Sequence, residues 1–211
     1  HLGPVQEILR FLFIFFAMKF IIEHLEPELY EWCLIEYEHI SKIVGAKNLM
    51  FTNIKNVKNK KILEKFGNVF GGSVSELKFN KNKVCVLSQY STKTLTAKDK
   101  SQFQYFIFGG ILGDNPAKRR TEDITKELKN KKIKFEVRNL GKKQMPTDAA
   151  AYVAKKILEG KKLSDFRFVD ELEVQINKDE SVNLNFRYVV DNGKVVISEK
   201  LVDYLRKRKE F

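Results

Sequence analysis

Metal chemistry has little to work with in this sequence. Its two cysteines, Cys33 and Cys85, sit in the apolar stretches EWCLIEY and KVCVL, and neither has a metal-ligand neighbour at suitable spacing among His1, His24 and His39. No metal is expected; buried thiols in a reducing, cytoplasmic compartment are. Long apolar runs are equally scarce. FLFIFFA, preceded by the basic Arg10, loosely resembles a short signal peptide but is too short to cross a bilayer, so no membrane partner is expected. The sequence starts at His1, whereas Met18, followed by KFIIEH, reads as the natural start. Residues 1–17 are then upstream or appended sequence; the alternative is an extra amphipathic helix packed on the domain. Acidic residues are in deficit, 27 Asp and Glu against 39 Lys and Arg, for a net charge of +12. That balance favours phosphate-rich partners such as RNA, or ribosomal surfaces. Lysine spread along the whole chain also serves solubility alone.

With 211 residues, 43% of them hydrophobic, the chain suffices for one globular domain, or one domain with a small appendage. Short β-rich runs alternate with helical stretches. Strands are predicted at Phe20–Glu23, Leu49–Thr52, Val84–Leu87, Tyr105–Phe108 and Ile133–Val137. Helices are predicted at Glu28–Val44 after Pro27, at Lys55–Phe66, at Thr121–Leu128, and at Asp148–Glu159 with Thr147 as N-cap and Gly160 just beyond the end. The first of these carries Leu29, Trp32, Cys33, Ile40, Ile43 and Val44 on one face. After Gly160 the character changes: VQINKDESVNLNFRYVV alternates like a hairpin around KDES, and a basic helix, Glu199–Arg208, follows. Strand–helix alternation predicts an α/β domain, 18–160, with a mostly parallel sheet, and a hairpin-and-helix extension, 161–211.

Two loops carry the chemistry. FIFGGILGD ends a predicted strand in glycines, with Asp114 at the rim. Glycine lets a ligand lie against the backbone, and Ile111 and Leu112 supply an apolar slot of the kind adenine needs. GGILGD contains no lysine, which argues against a phosphate cradle of the Walker type, and its spacing is not that of a dinucleotide fingerprint. The second loop, LGKKQMPTDAA, runs into a helix, with Lys142 and Lys143 bordering the site. Loops after successive parallel strands can clasp one ligand from both sides.

The succession strand–GGILGD–helix–strand–LGKKQMPTDAA resembles the SPOUT methyltransferases. KFIIEHLE, the pair Glu31–Trp32, FGGILGDNP with RRT at Arg119–Thr121, LGKKQMPTDAA and NFRYVV resemble one small family among them. Its eukaryotic members include a yeast enzyme that methylates an arginine of a ribosomal protein; archaeal members are described as predicted RNA methyltransferases. The resemblance covers nearly all of residues 18–211. It implies a deep C-terminal trefoil knot and S-adenosylmethionine as cofactor. Phe108, Gly109, Gly110, Ile111, Leu112 and Gly113 would form one wall of the cofactor site. Leu140, Gly141, Gln144, Met145 and Thr147 would form another, with Leu87 and Ser88 at the exit of the third strand. After that strand the chain reads SQYS where the family often has a more acidic or turn-like segment.

Methyl transfer to arginine needs a carboxylate to grip and orient a guanidinium that is otherwise protonated and weakly nucleophilic. Asp114 and Glu23 are the candidate carboxylates, each with a capping or ion-pairing role as its plain alternative. His24, beside Glu23, is a candidate proton relay, or a core histidine. Trp32 and Tyr37 read as helix packing. Arg119 and Arg120 suit a cofactor carboxylate or an RNA phosphate. Eukaryotic relatives tend to carry an acidic residue at the position of Arg119, which bears on the acceptor. Phe186, Arg187 and Tyr188 belong to an acceptor-facing lid or to a buried edge strand. The expected function is methylation of a ribosomal-protein arginine, on the free protein or the ribosomal subunit. The alternative is methylation of ribosomal or transfer RNA. Intact glycines in both loops argue against a non-catalytic module. The sequence is compatible with a monomer or a homodimer.

Overall fold

The computed structural model describes residues 18–80, 82–113 and 118–207. A six-stranded sheet is built from β1 (Lys19–His24), β2 (Leu49–Thr52), β3 (Asn68–Val69), β4 (Val84–Leu87), β5 (Tyr105–Gly110) and β6 (Phe135–Arg138). The order is β3-β2-β1-β5-β4-β6, and every pairing is parallel. Strands of such a sheet are covered on both faces, which explains why they read as continuous apolar runs rather than as alternating ones. Along β1, Phe20 and Ile22 enter the core under α1 (Glu31–Val44) and α5 (Thr147–Leu158). Ile21 enters the smaller core on the other face, under α4 (Thr121–Asn130). Two short helices, α2 (Val57–Leu63) and α3 (Asp99–Gln102), lie between strands.

Beyond α5 the chain forms a three-stranded antiparallel sheet from β7 (Arg167–Val169), β10 (Tyr188–Asp191) and β11 (Lys194–Val195). A separate hairpin pairs β8 (Leu172–Gln175) with β9 (Ser181–Leu184) around the KDES turn, and α6 (Glu199–Lys207) follows. This region packs on α1 through a third core, in which Ile35 meets Val174, Leu184, Tyr188, Leu201 and Leu205. Helix α1 is therefore buried on two sides. Trp32 belongs to this second side rather than to the stripe of Cys33, Ile40 and Val44.

Several boundaries differ from the sequence reading. Helix α1 starts at Glu31, after Tyr30 in extended conformation. β5 runs through both glycines to Gly110, where the reading stopped it at Phe108. Pro146, not Thr147, caps α5. Both cysteines are buried, and burial raises their thiols, Cys33 to about 12, so neither is a nucleophile.

At the head of α5 the core holds charge. Glu36 accepts a hydrogen bond from Trp32 Nε1 (2.8 Å) and lies against the Thr147 amide, while Asp148 meets His39 Nδ1 at 2.7 Å. Tyr188 completes the group with a buried hydroxyl that has no hydrogen-bond partner among the described residues. Burial, and then the charge of Asp148, push the Glu36 carboxyl well above its ordinary value of 4.5. The folded protein thus holds this proton more tightly than the unfolded chain. The group's contribution to stability is fully present below the ordinary value and is lost as pH rises toward the folded one. Glu36→Gln, which keeps an acceptor for Trp32, should therefore gain thermal stability relative to wild type more at pH 8 than at pH 5. An equal shift at both pH values in thermal unfolding would remove the buried proton.

Candidate active site

The carboxyl ends of β4, β5 and β6 meet the head of α5 at a cleft of about 130 Å³. Ligands bind in this position in open α/β sheets. Leu87 and Ser88 line it from β4, and Phe108, Gly109 and Ile111 from β5. Leu140, Gly141, Gln144, Met145 and Thr147 line it from the segment after β6. The loops are held by their own polar groups. Asn139 Oδ1 accepts from Gly141 N (3.0 Å), and Asn139 Nδ2 donates to Ser91 O (2.9 Å), which ties the second loop to the segment after β4. Gly141 has φ +106°, a conformation that favours glycine. The Thr147 hydroxyl reaches the carbonyls of Gly109 (3.4 Å) and Ile111 (3.5 Å), joining the second loop to the first.

The remaining expected wall residues lie elsewhere. Successive strand residues point to opposite faces, so Gly109 and Gly110 have different surroundings. A side chain at Gly110 would run into the Tyr37 hydroxyl; its space belongs to the core rather than to the cleft. Leu112 donates its amide to Glu26 Oε1 (3.0 Å) and packs its side chain on the core. Gly113, at φ +94°, faces the Phe186 ring, which a Cβ would meet at 2.5 Å. Asp114 lies outside the described residues.

Glu23 and His24 are not brought to the cleft. Glu23 Oε2 accepts from Val74 N (3.0 Å) and from the Thr52 hydroxyl on the α4 side of the sheet, and burial raises its carboxyl. His24 points to the other face, where Nδ1 lies 2.8 Å from the Tyr37 hydroxyl and burial lowers the ring's pKa. A carboxyl and an imidazole on opposite sides of one strand cannot share a proton path, and both are satisfied within the core. This corrects their expected catalytic pairing.

The sequence reading missed Gln89, Tyr90, Lys118, Thr121 and Ala150 in the wall. SQYS marked the first two only by its place after a strand. Arg119, expected near the site, lays its guanidinium 4.3 Å above the Tyr90 ring and pairs with Glu122 at 3.0 Å. Arg120 Nη1 meets Glu26 Oε1 at 2.7 Å, and its Nη2 donates to the Leu25 carbonyl. At the mouth, Lys143 (2.8 Å) and Arg187 (2.6 Å) converge on Asp170. The Arg187 and Lys143 hydrogen bonds hold its carboxyl down to about 2. The Arg187 amide donates to Gln144 O (2.9 Å), so the NFRYVV segment touches the second loop through Arg187 and the first through Phe186. Among the described residues no group of His, Cys, Asp and Glu could hold a metal ion.

A parallel sheet in this order, with two glycine-bearing loops closing on one cleft, defines a methyltransferase of the SPOUT class. Crystal structures of the yeast arginine methyltransferase SFM1 superpose on the chain. The complex with SAM gives a TM-score of 0.81 at 32% identity, covering 94% of this chain and 95% of that one. The complex with SAH gives 0.78 at 32% identity, covering 89% and 94%. A Trm10 structure from Thermococcus kodakaraensis shares the fold at TM-score 0.56 and 24% identity, over 70% of this chain and 96% of that one. In sequence, the chain is 34% identical over 205 residues to the protein arginine N-methyltransferase SFM1 of Saccharomyces cerevisiae, covering 90% of this chain and 95% of the yeast protein. Residues 19–210 match the family described as protein arginine N-methyltransferase SFM1-like, and the chain belongs to that family.

Proposed function

We propose that this protein methylates an arginine side chain of a ribosomal protein, with S-adenosylmethionine as cofactor. The observation that carries this reading is the convergence of both glycine loops on one cleft in a chain that matches a protein arginine methyltransferase family from residue 19 to residue 210. The cleft suits the cofactor. Leu87, Leu140, Met145 and Ala150 give an apolar wall for a purine, and Gly109 and Gly141 keep backbone accessible. Lys118, Arg119 and Lys143 stand where a carboxylate could be received. S-Adenosylmethionine supplies an already activated methyl group when bound, so the protein's work is to align the acceptor, accept its proton and exclude water. The chain path supports the trefoil knot: β6 lies beyond β4, yet Thr147, following it, reaches back to the loop after β5. One chain walls the cleft, an arrangement a monomer can use and a homodimer can extend. A cytoplasmic location belongs to the same reading; among the described residues no helix is long and apolar enough to cross a membrane.

A second reading, RNA methylation, is favoured by the net charge of +12 and by the cations at the mouth of the cleft. Incubation with ribosomal subunits and labelled S-adenosylmethionine, followed by digestion, separates the two. Label should survive ribonuclease and be lost to protease. The opposite pattern assigns the acceptor to RNA.

A further inference from the structure

An enzyme that seats a guanidinium needs an anionic oxygen, a second acceptor in the same plane, and a place beside the cofactor cleft. Beside this cleft such a seat exists and already holds a guanidinium. Directly after β1, the Leu25 amide continues the pairing with β5 by donating to Gly110 O (3.1 Å). Leu25 and Glu26 thereby run alongside the first glycine loop. There the Glu26 carboxylate takes Arg120 Nη1 at 2.7 Å, and the Leu25 carbonyl takes Nη2. The two acceptors engage two nitrogens of one planar group, the fork geometry for which arginine is suited. The Glu26 side chain is 11% exposed, so its carboxylate is mostly shielded from water. Arg120 is itself part of the cleft wall, and the two acceptors lie directly behind its guanidinium, so an arginine reaches them from the cleft only when Arg120 moves aside.

Among the described residues, neither of the other carboxylates paired with wall residues resembles it. Asp170 is exposed and neutralised by two cations, Lys143 and Arg187. Glu122 pairs with Arg119, with both side chains more than half exposed. Glu23 is sealed on the α4 side of the sheet.

Resting on the arginine reading above, we propose that Glu26 and the Leu25 carbonyl form the seat for the acceptor arginine, and that Arg120 is its resting occupant. The acceptor guanidinium enters by displacing Arg120, so Arg120 acts as an internal competitor that sets how tightly an arginine must bind before it is positioned for methylation. Glu26 has a second duty, since its Oε1 also accepts the Leu112 amide (3.0 Å) and so touches the first loop. Glu26→Gln separates the duties: the amide oxygen still accepts from Leu112, while the charge that holds a guanidinium is gone.

The test is calorimetry on the full chain loaded with S-adenosylhomocysteine, titrated with Nα-acetyl-arginine amide. Arg120→Ala should bind this probe about tenfold more tightly than wild type, about 1.4 kcal/mol, and adding Glu26→Gln to that variant should cost about tenfold; Glu26→Gln alone should lose only about twofold, because it weakens the resting Arg120 and the probe alike. In the double variant the gain from Arg120→Ala should disappear. S-Adenosylhomocysteine affinity of Glu26→Gln should stay within about threefold of wild type, because the Leu112 contact is kept. The seat is overturned if Arg120→Ala does not bind the probe more tightly, or if Glu26→Gln loses S-adenosylhomocysteine and probe together. The second outcome makes the pair a strut for the loop. Hydrolysis of wild-type reaction products keeps the two readings apart. Methylarginine alongside failed calorimetry refutes the seat alone, whereas label confined to nucleosides refutes the arginine reading beneath it.

Discussion

Gly110→Val is expected to lower the stability of the protein in the absence of any ligand by about 3 kcal/mol or more, at the upper end of overpacking effects. The position is buried at the end of a central strand. A Cβ there would overlap the Tyr37 hydroxyl and come within 2.9 Å of Ile22 Cγ2 and 3.1 Å of the Glu23 carbonyl. Two of these neighbours cannot give way: Tyr37 is held by the His24 hydrogen bond at 2.8 Å, and Glu23 is backbone in the middle of the sheet. For a chain of this size each kcal/mol lowers the melting temperature by about 2–4 °C, so thermal unfolding of the ligand-free protein should show a fall of roughly 6–12 °C. An unchanged melting temperature with lost S-adenosylmethionine binding would return Gly110 to the wall of the cleft.

Asp99→Ala should be comparably severe for a different reason. Asp99 and Arg138 are both buried and meet at 3.0 Å. Arg138 also lies 5.1 Å over the Phe103 ring and pairs with Glu136 at 2.8 Å. Removing one member of a buried pair leaves its partner's charge uncompensated, which costs about 3–5 kcal/mol. Asp99 further accepts from the Thr96 amide at 2.8 Å. The effect should extend to the cleft, because Arg138 directly precedes the second loop and its carbonyl takes the Ser88 amide at 2.9 Å. We expect a large fall in melting temperature together with weakened S-adenosylmethionine binding by calorimetry. A variant that unfolds at the wild-type temperature would show that Arg138 finds its compensation in Glu136 alone.

How much of this was legible in the sequence depends on how local the signal is. The five predicted strands all exist, because a doubly covered sheet leaves short β-rich apolar runs that stand out between polar segments. The two-residue β3 carries no such signal. The β10–β11 hairpin did carry one and was overlooked: Asn192 (φ 48°) and Gly193 (φ 77°) form the Asn-Gly turn that most strongly marks a hairpin. The second loop was readable, since Gly141, Gln144, Met145 and Thr147 all line the cleft. In the first loop the glycines share a composition but not a duty. Gly109 faces the cleft, Gly110 makes room for Tyr37, and Gly113 makes room for Phe186. No local pattern separates those tasks, because the neighbour that needs the space is 73 residues away in both of the latter cases.

Glu23 and His24 illustrate the same point for charge. Adjacent in sequence and at the end of a strand, they suggested a pair, yet the pleat sends them to opposite faces. Glu26, two residues beyond His24, carries the guanidinium instead, after the strand has ended.

Phe186 and Arg187 hold both glycine loops at once, one through its ring against Gly113 and the other through its amide on Gln144. These residues lie between β9 and β10, outside the sheet that supports the loops. Widening the cleft from either side therefore drags the same short linkage. A displacement of one loop is thereby passed to the other through a part of the chain that contributes no strand to the six-stranded sheet.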